Sequence, residues 1–397
     1  MATEIQRGLD EANEIIAGTL ALEPLIKASI GAMDSERHLP APVVRAVKDL
    51  GVFRMAVPRA YGGPELDPMT QVRVVEELSR MDGSVGWCAM IAAAASYASA
   101  FFEPATAERL FGPVDASVAG QIMPIGKAEV VAGGYRVNGR FRFASGCNHA
   151  TMMIGGCLVS EGGEQRRLAG GRPEMRVMIF PPSSCTIVDT WHTTGLLGTG
   201  SNDYIVEDLF VPSEETWNPF QRPRIPGPLY VFPQLFLVPH AGVPIGMARG
   251  AIDTVMELSG RKESMPSPNR IGPPRHLRDD GETQEAVARA EAMLGAARCF
   301  AYGTVEELWA VLSRGERPTE RQRSIYRIML VYVHRAAREV ISLMYDTAAT
   351  SAIYKPNPLD RHMRDIVTAC QHRVVHPKMY RFAGRLLLGL EPGDPFF

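Results

Sequence analysis

Apolar positions recur with helical spacing in the first and last parts of the chain and with strand spacing between them. Val43, Val44, Val47 and Leu50 follow Leu39-Pro40-Ala41-Pro42 and stop at Gly51; a second amphipathic run, Met69 to Met81, stops at Asp82-Gly83. From Lys127 the pattern changes. Lys127–Val131 and Tyr135–Phe143 alternate or run β-branched and aromatic, with Gly133-Gly134 between them and Asn138-Gly139 inside the second. Asn-Gly is a strong hairpin signal and Gly-Gly a second possible turn. Further strands are predicted at Met175–Phe180, Thr186–Trp191 and Tyr204–Val211. Helical periodicity returns at 242–262, 282–313, 320–350 and 360–388, interrupted by a proline-rich connection, Ser264–Gln284, predicted as a surface loop. The pattern predicts a mostly α fold with a central antiparallel β unit: helices over 1–117, a β domain over 118–225 and a long-helix bundle over 226–397.

Composition narrows the functions open to such a fold. With 42 Lys plus Arg against 44 Asp plus Glu, the formal net charge of −2 provides no field for nucleic acid or an anionic membrane surface. Six cysteines are scattered without a C-x-x-C pair or metal-ligand spacing, which fits reduced thiols in a cytosolic protein and no metal site. Met1–Glu14 carries four acids and one Arg and does not resemble a signal peptide. The most apolar stretch, Trp87–Phe102, is shorter than the ~20 residues of a membrane span. Rich in Ala and Ser, it is predicted as a buried helix. No Gly-x-Gly-x-x-Gly nicotinamide unit is present, and Gly198-Thr199-Gly200-Ser201 lacks the Lys and the helix of a phosphate loop.

Two segments, Ala128–Gly146 with its Phe143-Ala-Ser-Gly146 ending and Gly195–Pro212, resemble the β-domain signature of the acyl-CoA dehydrogenase superfamily. Pro58–Gly63, Asp82–Trp87 and Asp360–Gly389 extend the resemblance over nearly the whole chain. Ser84-Val-Gly-Trp87, the Phe-Ala-Ser-Gly loop and the C-terminal run are similar to the branch of two-component flavin-dependent monooxygenases, which includes the oxygenase component of p-hydroxyphenylacetate hydroxylase and dibenzothiophene monooxygenase. The resemblance implies an N-terminal helical domain, an antiparallel β domain and a C-terminal four-helix bundle, assembled as a homotetramer. It also implies reduced FMN or FAD delivered by a separate NAD(P)H-dependent flavin reductase, and O2 adding at flavin C4a to give a hydroperoxide that oxygenates a small, mostly apolar substrate.

The residues distinguish this chemistry from desaturation. A dehydrogenase needs a carboxylate base to remove the proton alpha to a thioester; in the usual dehydrogenases it stands nine residues after the Arg of a C-terminal Arg-Asp pair. Here Arg364-Asp365 is followed by Arg373 at that place. The alternative base position also fails, since Thr216–Ile252 contains no Asp or Glu. His372 stands beside the vacant position, and its imidazole is suited to proton handling near neutrality. By resemblance His372 faces flavin and substrate, whereas an isolated His is more commonly a helix contact; His376, before Pro377, is read as structural. Ser145 and Gly146 are expected to hold flavin N5 and the pyrimidine edge. Gln121 and Met123 occupy the place of a dehydrogenase flavin contact, and Thr199, Gly200 and Ser201 form a turn approaching the cofactor. Trp87, Trp191 and His149 are expected near the substrate. Several monooxygenases of this branch carry a second histidine eight residues after the Trp of the Gly-Trp pair; this chain has Ala95. Two other readings remain: a dehydrogenase-like flavoenzyme with a displaced base, and a flavin-binding protein without catalysis.

Overall fold

The computed structural model describes residues 2–262 and 276–394, and the chain begins in it with seven helices. These are α1 (Ala2–Ala21), α2 (Glu23–Ala28), α3 (Ile30–Glu36), α4 (Ala41–Asp49), α5 (Pro68–Met81), α6 (Gly83–Ser96) and α7 (Pro104–Phe111). Two aspartates set the central pair. Asp67 accepts from the N–H groups of Met69 and Thr70 and Pro68 follows it, so α5 starts there. Asp82 ends α5 in an extended conformation and caps α6 through Ser84 and Val85. Trp87 is thereby fixed one turn into α6.

The sheet comprises β1 (Val118–Val131), β2 (Gly134–Ala144), β3 (Met152–Glu161), β4 (Glu164–Gln165), β5 (Met175–Phe180), β6 (Thr186–Val188), β7 (Asn202–Pro212) and β8 (Thr216–Trp217). Its order is β6-β7-β2-β1-β3-β5-β8, with β4 paired to β3. The hairpin turns at Ala132-Gly133, with Val131 opposite Gly134 and Gly133 at φ 78°. Asn138-Gly139 instead forms a bulge against β7. The register shifts there, and Asn138 Oδ1 accepts from the N–H of Asp208, itself at φ 44°. The pairings are antiparallel except one: β3 lies parallel to β1. The cause is the connection 145–151, which steps over the start of β1. Thr151 and Ser117 bond to each other there, and the Ser117 hydroxyl donates to the His149 carbonyl.

The C-terminal helices are α8 (Gly242–Arg261), α9 (Gly281–Ser313), α10 (Glu320–Ala348), α11 (Pro358–Ala369) and α12 (Lys378–Leu387). Of the expected loop Ser264–Gln284, residues 263–275 lie outside the described residues, and α9 already begins at Gly281. The helix expected over 360–388 is two helices. The first ends at Ala369 with Cys370 as its C-cap, and Pro377 stands just before the second, where a proline is tolerated. Between them His372 takes an extended backbone (φ −62°, ψ 136°) before a short 3-10 turn, Arg373–Val375. His372 thus stands in a break between helices.

Two segments, Gly83–Phe101 and Leu235–Arg261, are long and apolar enough to cross a membrane, so the length argument for Trp87–Phe102 fails. Their burial decides the matter instead: 83% and 89% of these windows are buried within the protein. The second includes α8, which packs on α5 through glycines one turn apart. Cβ atoms at Gly242, Gly246 and Gly250 would meet the carbonyl oxygens of Val72, Glu76 and Arg80, at Gly246 as close as 2.0 Å. Gly246→Ala is therefore expected to cost about 2–3 kcal/mol by overpacking. Gly260→Ala on the same helix, with open space around it, is expected to be neutral or slightly stabilising. Chemical denaturation of the two variants checks the difference, and equal midpoints would sink the close-packing account.

Candidate active site

Five segments meet at one place: α6, the 145–151 connection, the turn 197–201, the segment 235–241 before α8, and the break 370–377. The first link is Trp87, whose indole N–H donates to Ser145 Oγ at 3.1 Å. Ser145 Oγ lies 2.7 Å from Ser201 Oγ, and Ser201 Oγ lies 2.7 Å from Thr199 Oγ1. Thr199 donates to the Leu196 carbonyl at 2.8 Å, and the Leu196 N–H donates to Asp365 at 2.6 Å.

A hydroxyl has one proton, so this chain has a direction. Thr199 gives its proton to Leu196 and must accept from Ser201; Ser201 must then accept from Ser145. Ser145 has spent its proton and already accepts from Trp87. What it retains is a lone pair, so toward a ligand Ser145 acts as an acceptor. The frame beneath is tied together as well. Gly146 N–H bonds the Thr199 carbonyl, Cys147 Sγ reaches the Gly200 carbonyl, and Gly200 sits at φ 52° where a Cβ would strike Asn148.

The second link from Trp87 is through its ring, which meets His372 edge-on at 5.5 Å and His240 at 6.5 Å; the two imidazoles are 5.4 Å apart. His372 is half-buried with Nδ1 enclosed and unpartnered, while Nε2 is accessible. Burial, reinforced by the Arg327 guanidinium, pushes its pKa down to about 4. His240 is 3% exposed with both ring nitrogens lacking partners, and burial holds it well below the ordinary histidine value.

Among the described residues no carboxylate enters this group of rings. Arg373, at the dehydrogenase base position, is exposed and bonds Asp394 and the sulfur of Met123. Asp365 faces away, toward Leu196 and Arg361. Arg364 binds Asp360 and the Thr194 carbonyl, so the Arg-Asp pair holds the 194–196 loop in place.

The other expected site residues fall around this centre. Met123 lies on the break through its contact with Arg373. Gln121 bonds the Tyr204 hydroxyl through its backbone N–H, where β1 leaves register with β3 between Gln121 and Gly126. Trp191 donates to the Leu196 carbonyl at 2.9 Å and meets Phe143 edge-on at 6.4 Å. Ala95 is half-buried on α6, two turns beyond Trp87. His149 stacks on Phe53 at 5.3 Å with Nδ1 enclosed and unpartnered, and its ring lies beside Gly146, where an added Cβ would come within 3.0 Å of Nε2.

Two residues escaped the sequence reading. His240 is the one histidine in the acid-free stretch Thr216–Ile252, a signal that was present but unused. Phe143, 61% exposed at φ 62°, is an aromatic ring held outward on a backbone that non-glycine residues rarely adopt. Such a ring beside Ser145 is a platform for a planar ligand, and with the accepting hydroxyl it fits a flavin.

Comparisons with known proteins agree with the geometry. Residues 21–108 match the acyl-CoA dehydrogenase N-terminal domain and residues 238–377 the acyl-CoA dehydrogenase C-terminal domain. The chain is 32% identical to indole-3-acetate monooxygenase of Pseudomonas putida, covering 92% of this chain and 91% of that one. It is 28% identical to the flavin-dependent monooxygenase oxygenase subunit HsaA of Mycobacterium tuberculosis, over 97% and 98% of the two chains. The fold superimposes on XiaF from Streptomyces, solved with FADH2 and glycerol, with a TM-score of 0.87 at 22% identity and 99% coverage of both chains. The chain belongs to the acyl-CoA dehydrogenase superfamily and, within it, to the flavin-dependent monooxygenases that serve as oxygenase components.

Proposed function

We propose that the protein oxygenates a small aromatic substrate bearing an ionisable ring O–H or N–H, using reduced flavin supplied by a separate NAD(P)H-dependent reductase. The observation that carries this is the placement of Trp87. One side chain touches both the hydroxyl suited to flavin and the imidazole suited to substrate. Relatives acting on indole-3-acetate and resorcinol, by their names, support the aromatic class. Flavin, when bound, supplies the oxygen activation; the protein's residues hold it, exclude water and manage protons.

Ser145 can accept from N5–H, which reduced flavin carries and oxidised flavin lacks. Gly146, Thr199, Gly200 and Ser201 hold that hydroxyl in its accepting state, and Phe143 offers a stacking face. Gln121 and Met123 lie at the margin of this frame. FMN and FAD both fit these contacts. His372 Nε2 faces the substrate, with Trp87 as the wall between base and flavin hydroxyl. Trp191 supports Phe143 from the side. Among the described residues no carboxylate joins the Trp87, His240 and His372 rings, and Asp394, beside the dehydrogenase base position, is held by Arg373.

The three-part division 1–117, 118–225 and 226–397 serves this site by drawing α6, the sheet loops and the break from different parts. Exposed Tyr332, Tyr380, Leu387, Leu388 and Leu390 on α10, α12 and beyond support bundle-to-bundle association as a homotetramer. Six unpaired cysteines suit the cytosol.

Anaerobic titration tests the flavin half. Reduced FMN or FAD is expected to bind at least tenfold tighter than the oxidised form, and Ser145→Ala to erase most of that preference. An unchanged preference in Ser145→Ala would remove Ser145 from the flavin contact. Aerobic assays with phenols and indoles then compare oxygenated product with released hydrogen peroxide.

A further inference from the structure

We infer that His240 is the second imidazole of this site: it accepts the Nδ1 proton of His372 and so fixes His372 in the tautomer whose Nε2 is a free acceptor. The inference rests on the proposed role of His372 and names the residue that makes that role work.

His372 Nδ1 is enclosed and has no partner, and two rings lie against the imidazole. Trp87 is a donor only, and its N–H is already committed to Ser145. His240 is the other, with its ring tilted 38° and both nitrogens uncommitted. His334, whose Nε2 is also enclosed and unpartnered, is bonded at Nδ1 to the Leu330 carbonyl and has no ring contact with His372 among the described residues. A buried imidazole with two idle nitrogens is costly to keep. A small ring rotation that joins it to Nδ1 of His372 satisfies one nitrogen on each ring.

The direction follows from the surroundings. Burial keeps the His240 ring neutral, so one of its two unpartnered nitrogens carries the proton and the other is an acceptor. Paired with that acceptor, His372 donates through Nδ1–H. Nε2 of His372 is left with its lone pair toward the accessible side. The groups facing His240 are Trp87 from α6, His334 and Arg327 from α10, and His372 from the break. None is a carboxylate, so His240 stays neutral and remains an acceptor.

When the substrate O–H or N–H bond breaks, its proton forms a bond to Nε2. The resulting imidazolium keeps Nδ1–H, and its charge is shared toward the His240 lone pair. Orientation of one ring nitrogen by the bond made at the other is how a histidine's tautomer is generally set. The Leu235–Ala241 segment also packs against α6, the helix that carries Ala95. This chain thus keeps a second imidazole but brings it in from another element.

The test separates ring from nitrogen. His240→Phe retains an aromatic ring and removes the acceptor, whereas His240→Gln retains an acceptor. In the flavin-loaded protein, kcat for oxygenation is expected to fall about 10- to 100-fold in His240→Phe. Most of it should return in His240→Gln, with KM and reduced-flavin affinity unchanged in both. Wild-type kcat in His240→Phe, or equal loss in both variants, overturns the inference.

A second readout needs no turnover. In 15N-histidine-labelled wild-type protein, assigned with His372→Asn, the His372 ring should show a protonated Nδ1 and an unprotonated Nε2 at pH 7. The opposite tautomer overturns the inference even where His240→Phe does not fold. If His372→Asn instead retains full oxygenation, the proposed base has failed, and this tautomer measurement still decides the pairing with His240.

Discussion

Replacing His372 with asparagine is expected to lower oxygenation at least 100-fold while leaving reduced-flavin affinity within about twofold, with hydrogen peroxide replacing product. A positioned proton acceptor contributes on the order of 10²–10⁴ in rate. The magnitude is plausible despite a pKa near 4. A ring O–H or N–H becomes strongly acidic as the ring loses electron density to an electrophilic oxygen, so a weak base suffices at that moment. The pH dependence has a definite sign. Burial lowers the pKa, so the accepting form is present above about pH 5 and lost as pH falls through about 4. The acid limb of kcat should therefore lie near pH 4 in the wild-type protein and be absent from the residual activity of His372→Asn. The measurement is product against peroxide across roughly pH 3–8, on both sides of that value. A variant with undiminished product would dismiss His372 as the base.

The largest loss of stability is expected from Arg361→Met. Arg361 donates to Asp82 at 2.6 Å through Nε, reaches Asp34 through Nη1 and lies 3.9 Å from Asp365. Side-chain exposure is 7% for Arg361, 0% for Asp82 and 1% for Asp365. Removing the cation leaves two enclosed carboxylates without their counter-ion, for which about 3–5 kcal/mol is the usual cost. Lysine should not restore it, because a single ammonium cannot reproduce the separate reach of Nε and Nη1.

The damage should reach the site by two routes. Asp82 caps the helix that carries Trp87, and Asp365 holds the Leu196 N–H at the end of the hydroxyl chain. Reduced-flavin affinity is thus expected to fall together with the melting temperature. Adding Asp82→Asn should recover part of the stability, since the two changes share one interaction. Additive losses in the double variant would refute the network.

Much of this arrangement was legible in the sequence, and the failures have physical reasons. Met175–Phe180 reads directly as a strand because its β-branched and apolar residues are bounded by turn formers. The amphipathic run read from Met69 is α5, which starts one residue earlier at Pro68. Asn138-Gly139 misleads because its conformational freedom serves a bulge as well as a turn; Gly133 took the hairpin. The break at 370–377 was obscured because apolar spacing continues across it, although Pro377 announced it. The parallel pairing of β3 is set by a connection that crosses another strand, which periodicity cannot express. Ser145 and His372 stand in recognisable motifs. His240 does not, because its role depends on contacts between segments far apart in the chain.

The glycine seam between α5 and α8 has a consequence for how such a protein diversifies. Backbone rests on backbone there, with no intervening layer of side chains to be exchanged or to slide. That seam is a fixed post on which the 235–241 segment is mounted. New substrate preferences are therefore more readily acquired by swapping side chains on that segment and along α6 than by shifting helices.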